Sequence, residues 1–429
     1  MGQLRATKRG LLVGAAACVC VFLYLRSSPP EAAQAEPPYP AALECGFYPD
    51  ELCSALFEGK KAAPQIATFC TNQPAPDILG YVHDAGNCSR MSRGLRFITT
   101  PLSAEEGNFS LAYIVTLREE LAMFVQLLRA IYAPQNLYCI HVDGTAPREY
   151  TRAVRALAAC FGNIFISPRT QEAAHTDRGR LQADIDCMKD LVQSKRRWKY
   201  VINLCGQDFP IKTNREIIHY LRSKWNDKNI TPGVASTGQA RARPGPGPPE
   251  PSPGGGHASP TEGFGREPPH NVTVYVGSAY YLLTRRFVEF VLTDGRAKDV
   301  LQWARATLSP AQHYWGTLNR LKDAPGSTPD AGWEGNLRAV KRRAEEGKVH
   351  DGCKGHYVQD TCVYGPGDLA WLIQSPSLFA SKFAPSSEPL VVTCLERRHR
   401  LRVLAQAEVP TQPHWHFQPE SHFNMKLRR

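Results

Sequence analysis

Between Leu111 and Leu204, short apolar runs alternate with stretches of helical periodicity, and this alternation constrains the fold more than any other feature of the chain. Leu111–Leu117 and Leu137–Val142 are mostly apolar runs of strand length, with an amphipathic helical pattern from Glu119 to Tyr132 between them. Ile164–Ser167 and Tyr200–Leu204 repeat the theme, separated by helical patterns at 147–159 and 180–194. A strand without a polar face needs cover on both sides, so this order predicts an α/β fold: a mostly parallel sheet with helices on both faces. Ligands of such sheets bind beyond the carboxyl ends of the strands. Thr116, Asp143 and the Gly206-Gln207-Asp208 turn are therefore the first candidate site residues.

Further along, residues 241–269 are a run of Arg, Pro, Gly and Ser that cannot build a core and read as a long surface loop. The fold resumes at Val274–Leu283, followed by helical patterns at 285–293 and 297–320. Two tight loops then carry Cys353 to Cys362 and Tyr364 to Asp368. No internal repeat is visible. At 429 residues the chain is long enough to bury a core without external staples, so its 13 cysteines are not there to rescue a small fold.

The amino terminus sets the compartment. Residues 1–10 carry Arg5, Lys8 and Arg9 and read as a cytosolic tail; residues 11–25 are apolar or small and read as a short transmembrane signal-anchor. Bulky Phe22, Leu23, Tyr24 and Leu25 leave no small-x-small cleavage site, which argues against a removable signal peptide. Residues 26–44, rich in Pro, Ala and Glu, form a stem, and residues 45–429 form a luminal domain. Asn87, Asn108, Asn229 and Asn271 each begin an N-glycosylation sequon, which has meaning in a lumen. An oxidising lumen also favours disulfides, puts nucleic acid out of reach, and leaves the +11 net charge to membrane or phosphate-bearing partners.

The ordered strings Tyr138-Cys139-Ile140-His141-Val142-Asp143, Cys187-Met188-Lys189-Asp190-Leu191, Asn203-Leu204-Cys205-Gly206-Gln207-Asp208-Phe209-Pro210, Gly277-Ser278-Ala279-Tyr280, Gly365-Pro366-Gly367-Asp368-Leu369 and Phe379-Ala380-Ser381-Lys382-Phe383 resemble the core 2 beta-1,6-N-acetylglucosaminyltransferases. The resemblance spans roughly residues 45–405. It implies a GT-A-type nucleotide-sugar transferase fold in a single-pass type II Golgi membrane protein. It further implies transfer of N-acetylglucosamine from UDP-N-acetylglucosamine to a 6-hydroxyl of a glycan acceptor, with inversion and without a metal or other cofactor. Such a reaction needs a base for the acceptor hydroxyl and positive charge for the departing diphosphate. The one DxD string, Asp184-Ile185-Asp186, lies within a helical pattern where i and i+2 diverge, and is not expected to hold a metal.

The resemblance also exposes departures. The family's catalytic Glu in a Ser-Pro-Asp-Glu string corresponds to Gln312, whose amide orients a hydroxyl but does not take its proton. His313 follows it and reads as a capping or surface residue. In the implied donor site, a diphosphate-binding Arg is replaced by Gln359, while Lys382 is retained. Losing one charge-assisted contact costs about 1.5–3 kcal/mol. Arg397 and Arg398 read as a basic face rather than as replacements. His175 occupies a uridine-facing position, and Thr116, Asp143, Asp208, Gly277 and Ser278 complete the implied donor set. An aromatic acceptor platform expected beyond Val340-Lys341 reads Arg342 and Ala344. Two functions follow: an active transferase, or a catalytically silent homologue that binds a nucleotide sugar, glycan or partner enzyme. Acceptor identity and homodimer formation are left open by the sequence.

The family pattern implies disulfides Cys53–Cys394, Cys88–Cys160, Cys139–Cys187 and Cys353–Cys362. Cys45 and Cys70 have no family counterpart and are assigned to each other. Cys18 and Cys20 fall in the anchor, which leaves Cys205 as the free thiol.

Overall fold

A computed structural model of the protein describes residues 49–70, 87–168, 177–236, 267–307, 309–333 and 337–417. The tail, anchor and stem expected at 1–44 and residues 241–266 of the loop expected at 241–269 lie outside the described residues. Among those described, no helix is long and apolar enough to cross a membrane.

The apolar runs form the strands they predict. Strands β1 (Leu111–Leu117), β2 (Leu137–Val142), β3 (Ile164–Ile166) and β4 (Tyr200–Cys205) are mutually parallel. The remaining strands are two or three residues long: β5 (Asp208–Pro210), β6 (Gly233–Ala235), β7 (Tyr275–Gly277), β8 (Leu282–Thr284), β9 (Arg338–Ala339), β10 (His356–Val358), β11 (Thr361–Val363) and β12 (Phe379–Ser381). The main sheet has the order β3-β2-β1-β4-β8, with β8 antiparallel to β4. The segment 274–283, where the fold resumes, is divided between two sheets: β7 pairs with β6, and β8 closes the main sheet.

Side-chain alternation divides the core between the two faces. Tyr113, Val115, Tyr138, Ile140 and Ile202 pack on one side with helices Leu121–Ile131, Arg148–Ala159 and Pro389–Ala405. Ala112, Ile114, Cys139 and Val201 pack on the other with helices Asp177–Gln193, Arg285–Thr293, Gly295–Ala304 and Pro310–Leu318. The pattern at 297–320, read as one helix, is two. Pro310 lacks an N–H to donate and so starts a new helix instead of continuing the old one.

Four implied disulfides are present: Cys53–Cys394, Cys88–Cys160, Cys139–Cys187 and Cys353–Cys362. Cys139–Cys187 staples helix Asp177–Gln193 to β2, and Cys53–Cys394 joins helix Pro49–Phe57 to helix Pro389–Ala405. Cys70 is disulfide-bonded; Cys45 lies outside the described residues. Among the described residues, Cys205 is the free cysteine. Of the sequon asparagines, Asn87, Asn108 and Asn271 are exposed, but Asn229 has 0% exposure. Its amide nitrogen donates to Asn319 Oδ1 and the Pro325 carbonyl, and its oxygen accepts from the N–H and hydroxyl of Thr284. The expectation of a glycan at Asn229 is therefore corrected: the side chain is a buried knot in the fold.

Candidate active site

Strand order reverses between β1 and β4, and the carboxyl ends of these strands form the crevice where an open α/β sheet binds ligands. Thr116, half-buried near the end of β1, is in register with His141 on β2 and Cys205 on β4. Its carbonyl accepts the Gly206 N–H at 3.0 Å. A Cβ on Gly206 would sit 3.0 Å from the Leu117 side chain, so this turn is closely packed.

Asp143 follows β2 and is 2% exposed. Its N–H donates to the Leu117 carbonyl, and its Oδ1 accepts from the Thr145 N–H at 2.8 Å and hydroxyl at 2.6 Å. The carboxylate is thus fixed by its own loop, the rigidity a ligand-orienting group needs. Two residues earlier, His141 is 1% exposed, and neither ring nitrogen has a hydrogen-bond partner. Burial lowers its pKa, against the opposing pull of Asp143 and Asp186, which favours the neutral ring near the carboxyl end of β2. This histidine lies in one of the quoted strings, yet only the fold reveals its burial.

Asp208 is fully buried, and its Oδ2 accepts from the Cys205 N–H and forms an ion pair with Arg338. What Asp208 gives the site is therefore the placement of Arg338, rather than a carboxylate presented to solvent. The Arg338 guanidinium also lies 3.0 Å from the centroid of the Tyr280 ring, and Arg180 lies 3.8 Å from the same centroid. Arg180 Nη1 donates to the Tyr280 hydroxyl at 2.7 Å. One phenol ring thereby gathers two cations at the end of β4, beside Cys205, whose thiol pKa burial raises. Arg338 was not anticipated from the sequence. Its place depends on β9 pairing with β12, which in turn pairs with β5.

The same small sheet brings Lys382 in. Ser381 is paired with Asp208, and the Phe383 N–H donates to the Gln207 carbonyl, so Lys382 sits beside the Gly206-Gln207-Asp208 turn. Gln359 is instead exposed in the turn of the β10–β11 hairpin. Arg397 pairs with Asp50, and Arg398 lies over Phe57, so both are committed to helix Pro49–Phe57. His175 lies outside the described residues.

Gly277 and Ser278 build a wall. A Cβ on Gly277 would collide with the Pro232 carbonyl and Gly233 Cα. The Ser278 N–H donates to the Pro232 carbonyl, and its hydroxyl accepts from the Tyr280 N–H. Gln312 is half-buried in the first turn of helix Pro310–Leu318. This helix packs on β7, with Thr317 Oγ1 accepting from the Tyr275 N–H at 3.0 Å. His313 Nδ1 lies 2.8 Å from the Ser309 carbonyl, which makes it a brace for the helix start, as expected.

The DxD pair divides its attention. Asp184 accepts from Asn203, and Asp186 pairs with Lys189. Burial pushes the Asp184 carboxyl up to about 6, a rise that Arg180 partly offsets. Among the described residues, the one group with metal-ligand spacing is Cys353, Cys362 and Asp368. Its two sulfurs are bonded to each other, and Asp368 accepts from buried Lys341 at 2.8 Å, so the group is structural.

The fold supplies an open α/β sheet with a switch-point crevice, and comparison with known proteins gives the class, a glycosyltransferase. The family model described as "Branch: Core-2/I-Branching enzyme" matches residues 111–373, and the chain belongs to that family. It is 66% identical over 430 residues, covering 100% of both chains, to a human protein named "Probable beta-1,3-galactosyl-O-glycosyl-glycoprotein beta-1,6-N-acetylglucosaminyltransferase 7". It is 44% identical to human "N-acetyllactosaminide beta-1,6-N-acetylglucosaminyl-transferase", covering 88% of this chain and 91% of that one. With the rat "Beta-1,3-galactosyl-O-glycosyl-glycoprotein beta-1,6-N-acetylglucosaminyltransferase 3" it shares 34% identity, covering 77% of each.

Proposed function

We propose that the chain transfers N-acetylglucosamine from UDP-N-acetylglucosamine to the 6-hydroxyl of a galactose-class residue in an O-glycan-type acceptor, inverting the anomeric centre on a GT-A-type scaffold. The observation that carries this reading is the full-length 66% identity to a relative named for that transfer. The site geometry supports it: a loop-fixed Asp143 at the switch-point crevice, the Gly277 wall, and Lys382 beside the Gly206-Gln207-Asp208 turn. In a single displacement, the acceptor oxygen bonds to the anomeric carbon as the bond to the diphosphate breaks, and the hydroxyl proton passes to solvent water because Gln312 does not accept it. The Lys382 ammonium stabilises the departing charge, so basic side chains take the place of a metal. Gln312 orients the acceptor hydroxyl by hydrogen bonding. We further place the chain in the Golgi membrane as a type II protein anchored by residues 11–25, a placement the four disulfides support.

A second reading is favoured by one residue: Gln312 stands where the resemblance places the catalytic carboxylate, which fits a silent binding homologue. The test is UDP release from UDP-N-acetylglucosamine with galactose-terminated acceptors, for the wild type and Gln312→Glu. Release by wild type, dependent on acceptor, supports transfer. Release only by Gln312→Glu supports the silent homologue. No release and no UDP-N-acetylglucosamine binding by either protein would overturn the transferase reading and, of the silent readings, the one that binds a nucleotide sugar.

A further inference from the structure

A polar pocket lies at the end of the sheet away from the donor crevice. Gln135 stands two residues before β2, Arg129 is in the last turn of helix Leu121–Ile131, and Asn214 opens helix Asn214–Lys224. With Glu106, His399 and Arg400 they are among the residues that line a pocket of about 410 Å³, part of it open to solvent. Most charges in its wall are matched. Arg129 gives Nε and Nη2 to the two oxygens of Glu396, at 2.6 and 2.7 Å, and Nη1 to the Leu95 carbonyl. Glu106 accepts from the Asn214 amide at 2.7 Å and from the Ser103 hydroxyl at 3.2 Å.

Arg400 is the exception. It is 4% exposed, and among the described residues its hydrogen-bond acceptor is a neutral one, the Trp415 carbonyl at 3.1 Å. Its guanidinium lies 5.1 Å from the centroid of the Phe417 ring, and those of Arg96 and Arg129 crowd the same ring at 5.7 and 5.1 Å. Glu396, the carboxylate that acts on Arg400, is held at both oxygens by Arg129. Burial, and after it the charges of Arg129 and Arg96, pulls the Arg400 pKa down to about 9, which still leaves the group charged at neutral pH. Water in the pocket answers a hydrogen bond, but a buried charge is costly until a counter-charge meets it. Two other lining residues carry polar atoms without a partner among the described residues. His399 gives its Nε2–H to the Ala130 carbonyl at 3.0 Å and has an orphaned Nδ1, and both side-chain amide atoms of Gln135 are orphaned. Such a wall calls for an occupant that is polar and negative.

We propose that this pocket is an anion site, separate from the donor crevice, in which the Arg400 guanidinium takes a small inorganic oxyanion of the phosphate and sulfate class. A guanidinium presents paired N–H groups that match two oxygens of one oxyanion. The anion does for Arg400 what Glu396 does for Arg129, so it stabilises the fold and takes no part in transfer; the inference stands apart from the transferase reading. The test is thermal unfolding of the full chain as sodium phosphate or sodium sulfate is titrated at constant ionic strength, for wild type, Lys382→Ala, Arg400→Gln and Arg400→Lys. Wild type and Lys382→Ala are expected to show a saturable rise in Tm of about 2–4 °C, and Arg400→Gln none. Arg400→Lys, which keeps the charge and loses the fork, should need about tenfold more anion. Lys382→Ala separates this pocket from phosphate held in the donor crevice, so a rise lost in that variant would overturn the proposal. An equal rise in Arg400→Gln would overturn it too, as would a rise that never saturates, the mark of general exclusion of these anions from protein surface. If Arg400→Gln does not fold, Arg400→Lys decides, and an unchanged anion requirement there counts against the site. No response in wild type would mean that the pocket holds water alone and would overturn the proposal.

Discussion

The guanidinium of Arg338 is ion-paired with the carboxylate of Asp208, with the two side chains 5% and 0% exposed. Removing either partner leaves a charge in a site that water does not reach. Asp208→Asn and Arg338→Met are each expected to cost about 3–5 kcal/mol of stability. The double substitution should cost clearly less than the sum, because the second change removes the charge the first one stranded. Urea unfolding of the three variants decides the matter; fully additive losses would show that the pair is not coupled.

The Asp184 carboxyl, raised by burial to about 6 from 3.8, makes stability depend on pH in a stated direction. Between those values the folded protein holds a proton that the unfolded chain has released. Stability therefore falls as pH rises from about 4 to about 6 and levels off above, a loss on the order of 3 kcal/mol. Asp184→Asn should remove most of that slope. Unfolding free energies at pH 4.5 and 6.5 that fall equally in both proteins would refute the assignment.

Asn229 should remain unmodified in the folded protein even where the exposed sequons carry glycans. Glycopeptide mass spectrometry is expected to find sugar at one or more of Asn87, Asn108 and Asn271 and none at Asn229, whose amide is fully buried. Asn229→Ala would leave Thr284, Asn319 and Pro325 without their partner and cost about 2–4 kcal/mol. A glycan found on Asn229 in natively folded chains contradicts the structure.

Lys341 is 0% exposed and donates to Asp351, the Gly352 carbonyl and Asp368. Lys341→Met should destabilise the protein by about 3–5 kcal/mol, since it strands the buried carboxylate of Asp368. Adding Asp368→Asn should restore part of the loss. Thermal melts that show no recovery in the double variant would mean that Lys341 acts through packing alone.

β1 and β2 begin and end where the apolar runs do, because parallel strands buried on both faces write their boundaries directly into the sequence. The β5-β12-β9 sheet was not legible: its strands are two or three residues long and come from positions 208, 338 and 379, so no local period betrays their pairing. This accounts for the site's uneven legibility as well. Asp143 could be found as a strand-end carboxylate. The Arg338–Tyr280–Arg180 stack could not, because three distant segments must fold before those side chains meet. Ser278 lies in a motif that was legible, but its hydroxyl serves the backbone of Tyr280, a role that spacing alone does not convey.

The Cys53–Cys394 bond sets an order on synthesis. Residue 53 emerges early and its partner comes 341 positions later, within a helix that also supplies Glu396 to clamp Arg129 and packs on helix Leu121–Ile131. Throughout translation of the intervening chain, Cys53 has no native sulfur to meet and helix Leu121–Ile131 lacks its outer neighbour. A chain cut short anywhere before residue 394 therefore keeps an unpaired thiol near its beginning and leaves the outer side of helix Leu121–Ile131 uncovered. The last helix works as a completion mark that incomplete products lack.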